Sequence, residues 1–292
     1  MAVGNDSLGA LHPVQGLRLA TVSAGIKKPG RRDLVLMELA PGAVAAAVFT
    51  RNAFCAAPVT VAREHLQACA GQPRYLLVNT GNANAGTGPA GIEAARVCTR
   101  AVAAAADVSA ERVLPFSTGV IGEPLPVPLI EAAVPSAFAA LSSDGWEDAA
   151  HGIMTTDTRP KGCSLRFSAG GGDYVITGIA KGAGMIRPNM ATMLAYIATD
   201  MAVDRALLQD MLAAAVETTF NRITIDGDTS TNDSFIVMAT RKAAHAPITS
   251  WNSADGKALL AAMMSVAQKL AHAIVRDGEG ATKFITIRVE GG

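Results

Sequence analysis

The feature that most constrains this chain is a set of short aliphatic runs that are nearly continuous rather than alternating, such as Leu76 to Val78 and Ile236 to Met238. A strand that is apolar on both faces has to be covered on both, so these runs call for sheets held inside layers. Strand candidates are Asp33 to Glu38, Ala45 to Phe49, Arg74 to Asn79, Tyr174 to Ile179, Met193 to Thr199, Ser234 to Thr240 and Phe284 to Val289, each bounded by turn residues. Ala-rich helical stretches lie between them. From Asp204 to Phe220, residues Leu207, Leu208, Met211, Leu212, Ala215 and Val216 form one stripe behind an Asp204 cap. A second helix is expected from Gly256 to Arg276, with Leu259, Met263, Met264, Leu270 and Ile274 on its apolar side, and a third from Gly91 to Ala106. No repeat and no Ser/Gly- or Pro-rich linker divides the chain. The expected fold is α/β, a layered sandwich of mixed sheets and helices.

Composition narrows the function classes. Of 292 residues, 50% are hydrophobic and only 17% charged, which supplies a large core and excludes disorder. Lys plus Arg (25) balance Asp plus Glu (25), so no basic surplus draws the chain to nucleic acid or an anionic membrane. Charged residues, Pro or Gly interrupt every apolar run before the ~18 residues a membrane helix needs. Met1 to Pro13 lacks the basic and apolar regions of a secretory signal, so the cytoplasm is the expected compartment.

Metal and nucleotide chemistry find no support in residue spacing. Cys55, Cys69, Cys98 and Cys163 lie far apart without a CxxC pair and read as free thiols. His12, His65, His151, His245 and His272 stand singly, outside any ligand spacing. The acidic loop Asp226 to Asp233 fails as a calcium loop, because Thr231 stands where the turn Gly belongs and Val237 where the bidentate Glu belongs. It reads as a turn that caps its own backbone. After Gly182 and Gly184 the third position of a dinucleotide fingerprint is Arg187, so that motif fails too.

No GxSxG elbow, SxxK pair or Cys-His arrangement supports standard hydrolase chemistry. Threonine remains as a nucleophile class. It becomes reactive as the first residue of a chain, where its own α-amine serves as general base, so an internal Thr requires cleavage before it. Thr192 follows the turning Gly182 to Pro188 segment and the small Ala191, then opens the apolar run Met193 to Ile197. On composition alone the reading as an ordinary strand threonine prevails over the nucleophile.

The stretch KGAGMIRPNMATML, Lys181 to Leu194, resembles the cleavage and nucleophile segment of the ornithine acetyltransferase family, also called the glutamate N-acetyltransferase or ArgJ family. In the same order, NTGNANAGTG (Asn79 to Gly88), STG (Ser117 to Gly119), MTTDT (Met154 to Thr158), FNRITIDGDTSTND (Phe220 to Asp233) and DGEGATK (Asp277 to Lys283) are similar to that family. So is the opening segment, from Gly25, Ile26 and Lys27 through Asp33 to Phe49, Thr50 and Asn52, so the resemblance covers nearly the whole chain.

The resemblance implies a precursor of the self-cleaving ornithine acetyltransferase type that cuts itself between Ala191 and Thr192. Residues 1–191 would become an α-chain, and residues 192–292 a β-chain starting at the nucleophile Thr192. It implies acyl transfer in two halves: Thr192 attacks the acetyl amide of N-acetylornithine, ornithine leaves, and glutamate attacks the acetyl-enzyme, a ping-pong cycle of arginine biosynthesis. Each tetrahedral oxyanion would be held by the Thr118 hydroxyl and the Gly119 amide; one such donor is worth roughly 3 to 4 kcal/mol. The substrate contacts carried over are Thr155, Lys181, Thr192 and Glu279. Lys181 is expected as the carboxylate partner or as a charge that lowers the Thr192 amine pKa, and Glu279 as partner of the ornithine ammonium. The cleaved chains are expected to stay associated, as a dimer of α/β protomers. No metal or cofactor is implied, and no motif decides whether acetyl-CoA also donates, which would make the enzyme bifunctional.

Asn79 to Gly88 is read as a tight structural loop and Asp226 to Asp233 as scaffold near the site. Members of the family continue beyond the DGEGATK motif, so the β-chain is expected to be C-terminally incomplete, with Ile285 and Ile287 lacking a later element to pack on. The alternatives are an N-terminal-threonine aminopeptidase or amidohydrolase that uses water as acceptor, and a catalytically silent fragment.

Overall fold

The computed structural model describes residues 3–4, 8–187 and 193–291. In chain order the elements are β1 (Leu17–Val22), β2 (Leu34–Leu39), β3 (Val44–Phe49), α1 (Ala57–Ala68), β4 (Tyr75–Asn82), α2 (Gly88–Ala106), β5 (Val113–Val120), α3 (Val127–Ala139) and α4 (Trp146–Gly152). They continue with β6 (Lys161–Ala169), β7 (Gly172–Lys181), β8 (Leu194–Thr199), α5 (Arg205–Thr218), β9 (Ser234–Ala239) and α6 (Ala254–Arg276).

The strands form a 4-stranded sheet in the order β1-β2-β4-β5 and a 5-stranded sheet in the order β3-β9-β8-β7-β6. Each sheet contains one parallel pair, β4 with β5 and β8 with β9, and each of those pairs is joined through a helix, α2 or α5. The remaining pairings are antiparallel. The sheets are therefore mixed, as the sequence leads one to expect.

The layering follows from which side chain of each strand faces which way. Leu194, Tyr196 and Ala198 of β8 and Ile236 and Met238 of β9 meet Val35, Met37, Leu76, Val78 and Phe116 of the other sheet in a central core. Their sequence neighbours Ala195, Ile197, Phe235 and Val237 point the other way, against Leu208, Met211, Leu212, Met263, Val266 and Leu270 of α5 and α6. In the first sheet Leu34, Leu36, Tyr75 and Leu77 turn outward to Cys98 and Val102 of α2 and Ile130 and Val134 of α3. The result is helix, sheet, sheet, helix, and it accounts for the continuous apolar runs: every central strand has two buried faces. A fully buried Leu or Ile contributes about 1.5–3 kcal/mol relative to its exposed state.

Two sequence expectations need correction. Phe284 to Val289 forms no strand among the described residues: none of them supplies a ladder, and Ile285, Ile287 and Val289 are 72%, 84% and 84% exposed. Uninterrupted run length also understates α6, which by length and composition alone is apolar enough to cross a membrane. It serves here as a core helix, with Leu259, Met263, Val266, Leu270 and Ile274 buried against the sheet. Helix α5 starts where its cap is expected, Asp204 Oδ1 accepting from Ala206 N at 2.9 Å and Leu207 N at 3.3 Å.

Candidate active site

The carboxyl ends of the parallel pair β4 and β5 lie at the same end of the sandwich as the C-terminus of β7 and the start of β8. Thr80 and Gly81 of β4 stand opposite Thr118 and Gly119 of β5, and Lys181 of β7 stands opposite Leu194 of β8. Ligands in α/β folds collect at such strand ends.

Gly119 has a positive φ of 137°, and a Cβ there would sit 2.3 Å from the carbonyl carbon of Gly81. Only glycine lets β5 approach β4 so closely at this point. The pairing slips at the same place, around Gly81 and Asn82, a bulge of the kind that re-aims backbone groups beside active sites. The adjoining Thr118 is buried, and its Oγ1 accepts a hydrogen bond from Lys181 Nζ at 3.2 Å.

Lys181 sits among charges from several elements. Burial pushes its ammonium pKa down; Asp157, Asp233 and Glu279 oppose that, and the like charge of Lys161 adds to it. Asp157 is nearly fully buried, which by itself would raise its pKa, yet the charges of Lys181 and Lys161 and the bonds it accepts hold it at about 2. Its carboxylate accepts from Thr155 N at 3.0 Å, Gly182 N at 2.8 Å and Lys161 Nζ at 2.6 Å. Thr155 is further held through its loop, because Arg31 donates to the carbonyl of Met154 at 2.6 Å.

Glu279 is exposed, and its amide donates to the Ala183 carbonyl at 2.7 Å. Its carboxylate lies over Gly184, where a Cβ would stand 3.0 Å from Oε1. Thr118, Gly119, Thr155, Lys181 and Glu279 thus line one cleft of ≈ 420 Å³, with Lys27, Lys28 and Arg31 on its rim. Ala191 and Thr192 lie outside the described residues; their flank Met193 lines a small adjoining cavity with Thr118, Gly119 and Lys181.

The two loops read as scaffold are hydrogen-bonded into the ends of the strands, and Thr80, Gly81 and Asp226 of them also line the cleft. In NTGNANAGTG, Asn79 accepts from the Ser117 hydroxyl at 2.6 Å and Asn82 accepts from Asn84 N at 2.8 Å. In the acidic loop, Asn232 donates to the carbonyls of Ala83 at 2.6 Å and Ser117 at 2.9 Å, tying β9 to the ends of both β4 and β5. Asp226 accepts from the amides of Met185 and Ile186, the latter at 3.0 Å, and so grips the segment that leads toward Arg187. Asp233 lines the small cavity beside Lys181; burial pushes its carboxyl pKa well up, and its Oδ2 has no hydrogen-bond partner among the described residues.

The residues that sequence reasoning missed, Asp157, Lys161 and Asp277, are charged groups that hold the site and do not line its cleft. Asp157 lies within MTTDT and Asp277 opens DGEGATK, so two of them were visible as motif members without a role. Lys161 opens a polar edge strand and carried no signal.

A family model described as the ArgJ family matches residues 18–292. The arginine biosynthesis bifunctional protein ArgJ of Pseudomonas syringae pv. tomato is 56% identical over 292 residues, covering all of this chain and 71% of that protein. The crystal structure of ornithine acetyltransferase complexed with ornithine from Mycobacterium tuberculosis superposes with a TM-score of 0.54 at 36% identity, over 64% of this chain and 97% of that one. The l-aminopeptidase d-ala-esterase/amidase of Ochrobactrum anthropi, a variant of the Ntn hydrolase fold, reaches a TM-score of 0.54 over 93% of this chain and 88% of that one. At 13% identity, that likeness is one of fold alone.

Proposed function

The chain belongs to the ArgJ family, and from that premise we propose that it transfers the acetyl group of N-acetylornithine to glutamate, in arginine biosynthesis, after cleaving itself between Ala191 and Thr192. The observation that carries this reading is the convergence of Thr118, Gly119, Thr155, Lys181 and Glu279 on one cleft, from four separate parts of the chain.

Thr192, once N-terminal, attacks the acetyl carbon while its own α-amine takes the hydroxyl proton. The oxyanion that develops is received by the Thr118 hydroxyl and the Gly119 amide. Lys181 contributes in two ways. By donating to Thr118 Oγ1 it occupies the acceptor side of that hydroxyl and leaves its proton for the oxyanion. Its charge also suits the α-carboxylate that both substrates share. Glu279 takes the ornithine ammonium, and ornithine departs with the proton returned by the α-amine. Glutamate then enters and its amine attacks the acetyl-threonine through the same oxyanion geometry.

Cleavage at this position would leave the two chains as partners in one sheet. Strands β3, β6 and β7 precede the cut and β8 and β9 follow it, interleaved in the order β3-β9-β8-β7-β6. The test is acceptor dependence: glutamate should accelerate ornithine release from N-acetylornithine and yield N-acetylglutamate. Ornithine release at a rate indifferent to glutamate would contradict transfer and indicate hydrolysis.

A further inference from the structure

We propose that Lys161 is a positioning residue: its buried ammonium is the common fastening of the three backbone segments that present Thr155, Lys181 and Glu279 to the cleft. The proposal rests on the reading above that these three residues hold substrate.

Lys161 Nζ lies 2.6 Å from Asp157 Oδ1 and 2.6 Å from Asp277 Oδ2, with side chains 1%, 0% and 0% exposed. The carbonyl of Arg159 at 3.4 Å takes its remaining donor. Asp157 passes the restraint to Thr155 N and Gly182 N, the second being the residue after Lys181. Asp277 accepts from the Thr158 amide at 3.0 Å and from its hydroxyl, and stands two residues before Glu279. The Glu279 amide closes the circuit on Ala183. None of Lys161, Asp157 and Asp277 lines the cleft.

Such an arrangement is not what stability alone selects. Desolvating three charges costs several kcal/mol per ion, and apolar residues of similar volume fill such a space as well or better. What the ions supply, and apolar side chains cannot, is a directional link between loops 116 residues apart in sequence. Here that link ends on three residues of one cleft.

The experiment compares wild type with Lys161→Met, Asp157→Asn and Asp277→Asn, measuring N-acetylornithine affinity by calorimetry, kcat and KM for both substrates, and the pH profile of kcat/KM. Lys161→Met leaves two buried carboxylates without their cation and should lower thermal stability; in the protein that remains folded, KM for both substrates should rise roughly tenfold or more, as expected when binding groups shift by a fraction of an ångström. The groups facing Lys181 are Asp157, Lys161, Asp233, Glu279 and the Thr118 hydroxyl. Removing the Lys161 charge lets Lys181 keep its proton to higher pH, so the alkaline limb should move up. Asp157→Asn removes an anion and should move the limb down. Opposite displacements are a signature that a merely structural role would not give.

A folded Lys161→Met protein with wild-type affinity, KM and limb would overturn the proposal. If that variant does not fold, the volume-conserving Asp277→Asn decides: a weakened affinity for N-acetylornithine supports the proposal and an unchanged one overturns it. A wild type that binds N-acetylornithine without transferring its acetyl group would sink the functional reading, and the affinity comparison would still decide this one.

Discussion

At the scale of single residues, the site is a set of polar groups whose properties are set by what buries them. Thr118 illustrates this: its hydroxyl oxygen accepts from Lys181, which leaves the hydroxyl proton available for another acceptor. Thr118→Ala should lower kcat by about 10² to 10³ with little change in KM, the expected loss for one oxyanion donor; steady-state kinetics on both substrates checks it. Lys181→Met should weaken both half-reactions by about 10- to 100-fold, the loss of one charged hydrogen bond, and a folded variant with normal kinetics would remove Lys181 from the account. Asp157 carries a pH consequence. Its pKa is about 2 when folded and 3.8 ordinarily, so its contribution to stability is fully present above the ordinary value and is lost as pH falls through about 2. Asp157→Asn should therefore flatten the acid limb of stability in urea unfolding. At neutral pH it should cost about 3–5 kcal/mol, because it breaks one side of a buried ion cluster.

At the scale of elements, what could be read from the sequence depended on how many neighbours each segment has. The interior strands β2, β4, β7, β8 and β9 announce themselves, because burial on two faces leaves long aliphatic runs. The missed strands β1, β5 and β6 are sheet edges, while the fourth edge, β3, was legible because Val44–Phe49 is wholly apolar. An edge tolerates Pro115 in β5, since proline has no donor to lose where no partner waits. It also tolerates the polar alternation of β6. Phe284 to Val289 shows the converse: its alternation is that of a strand, but a strand is a pairing and none of the described residues pairs with it. The site was legible where a motif carries a reactive side chain, as at Thr118, Lys181 and Glu279. It was opaque where a charge acts through a distant partner, because the bond from Lys161 to Asp277 has no local trace. The same scale yields one more expectation. Gly119→Ala places a methyl group 2.3 Å from the Gly81 carbonyl carbon, so it should open the β4–β5 junction and abolish acetyl transfer, while circular dichroism shows the distant helices intact.

At the scale of the whole molecule, the account depends on a division that does not coincide with any structural boundary. Residues before Ala191 build all of the first sheet and three strands of the second, and residues after Thr192 complete the second and supply the helices that cover it. The central core joins Leu76 and Phe116 from one side of the cut to Tyr196 and Ile236 from the other. The two products should therefore co-elute as one particle under native conditions and separate only on denaturation. The most direct test of the central claim is the intact mass of the purified protein under denaturing conditions. The account predicts two species in place of one of 29.9 kDa, with the second beginning at Thr192. A single uncleaved species that nonetheless transfers acetyl groups at full rate would contradict it, because an internal threonine has no α-amine with which to act.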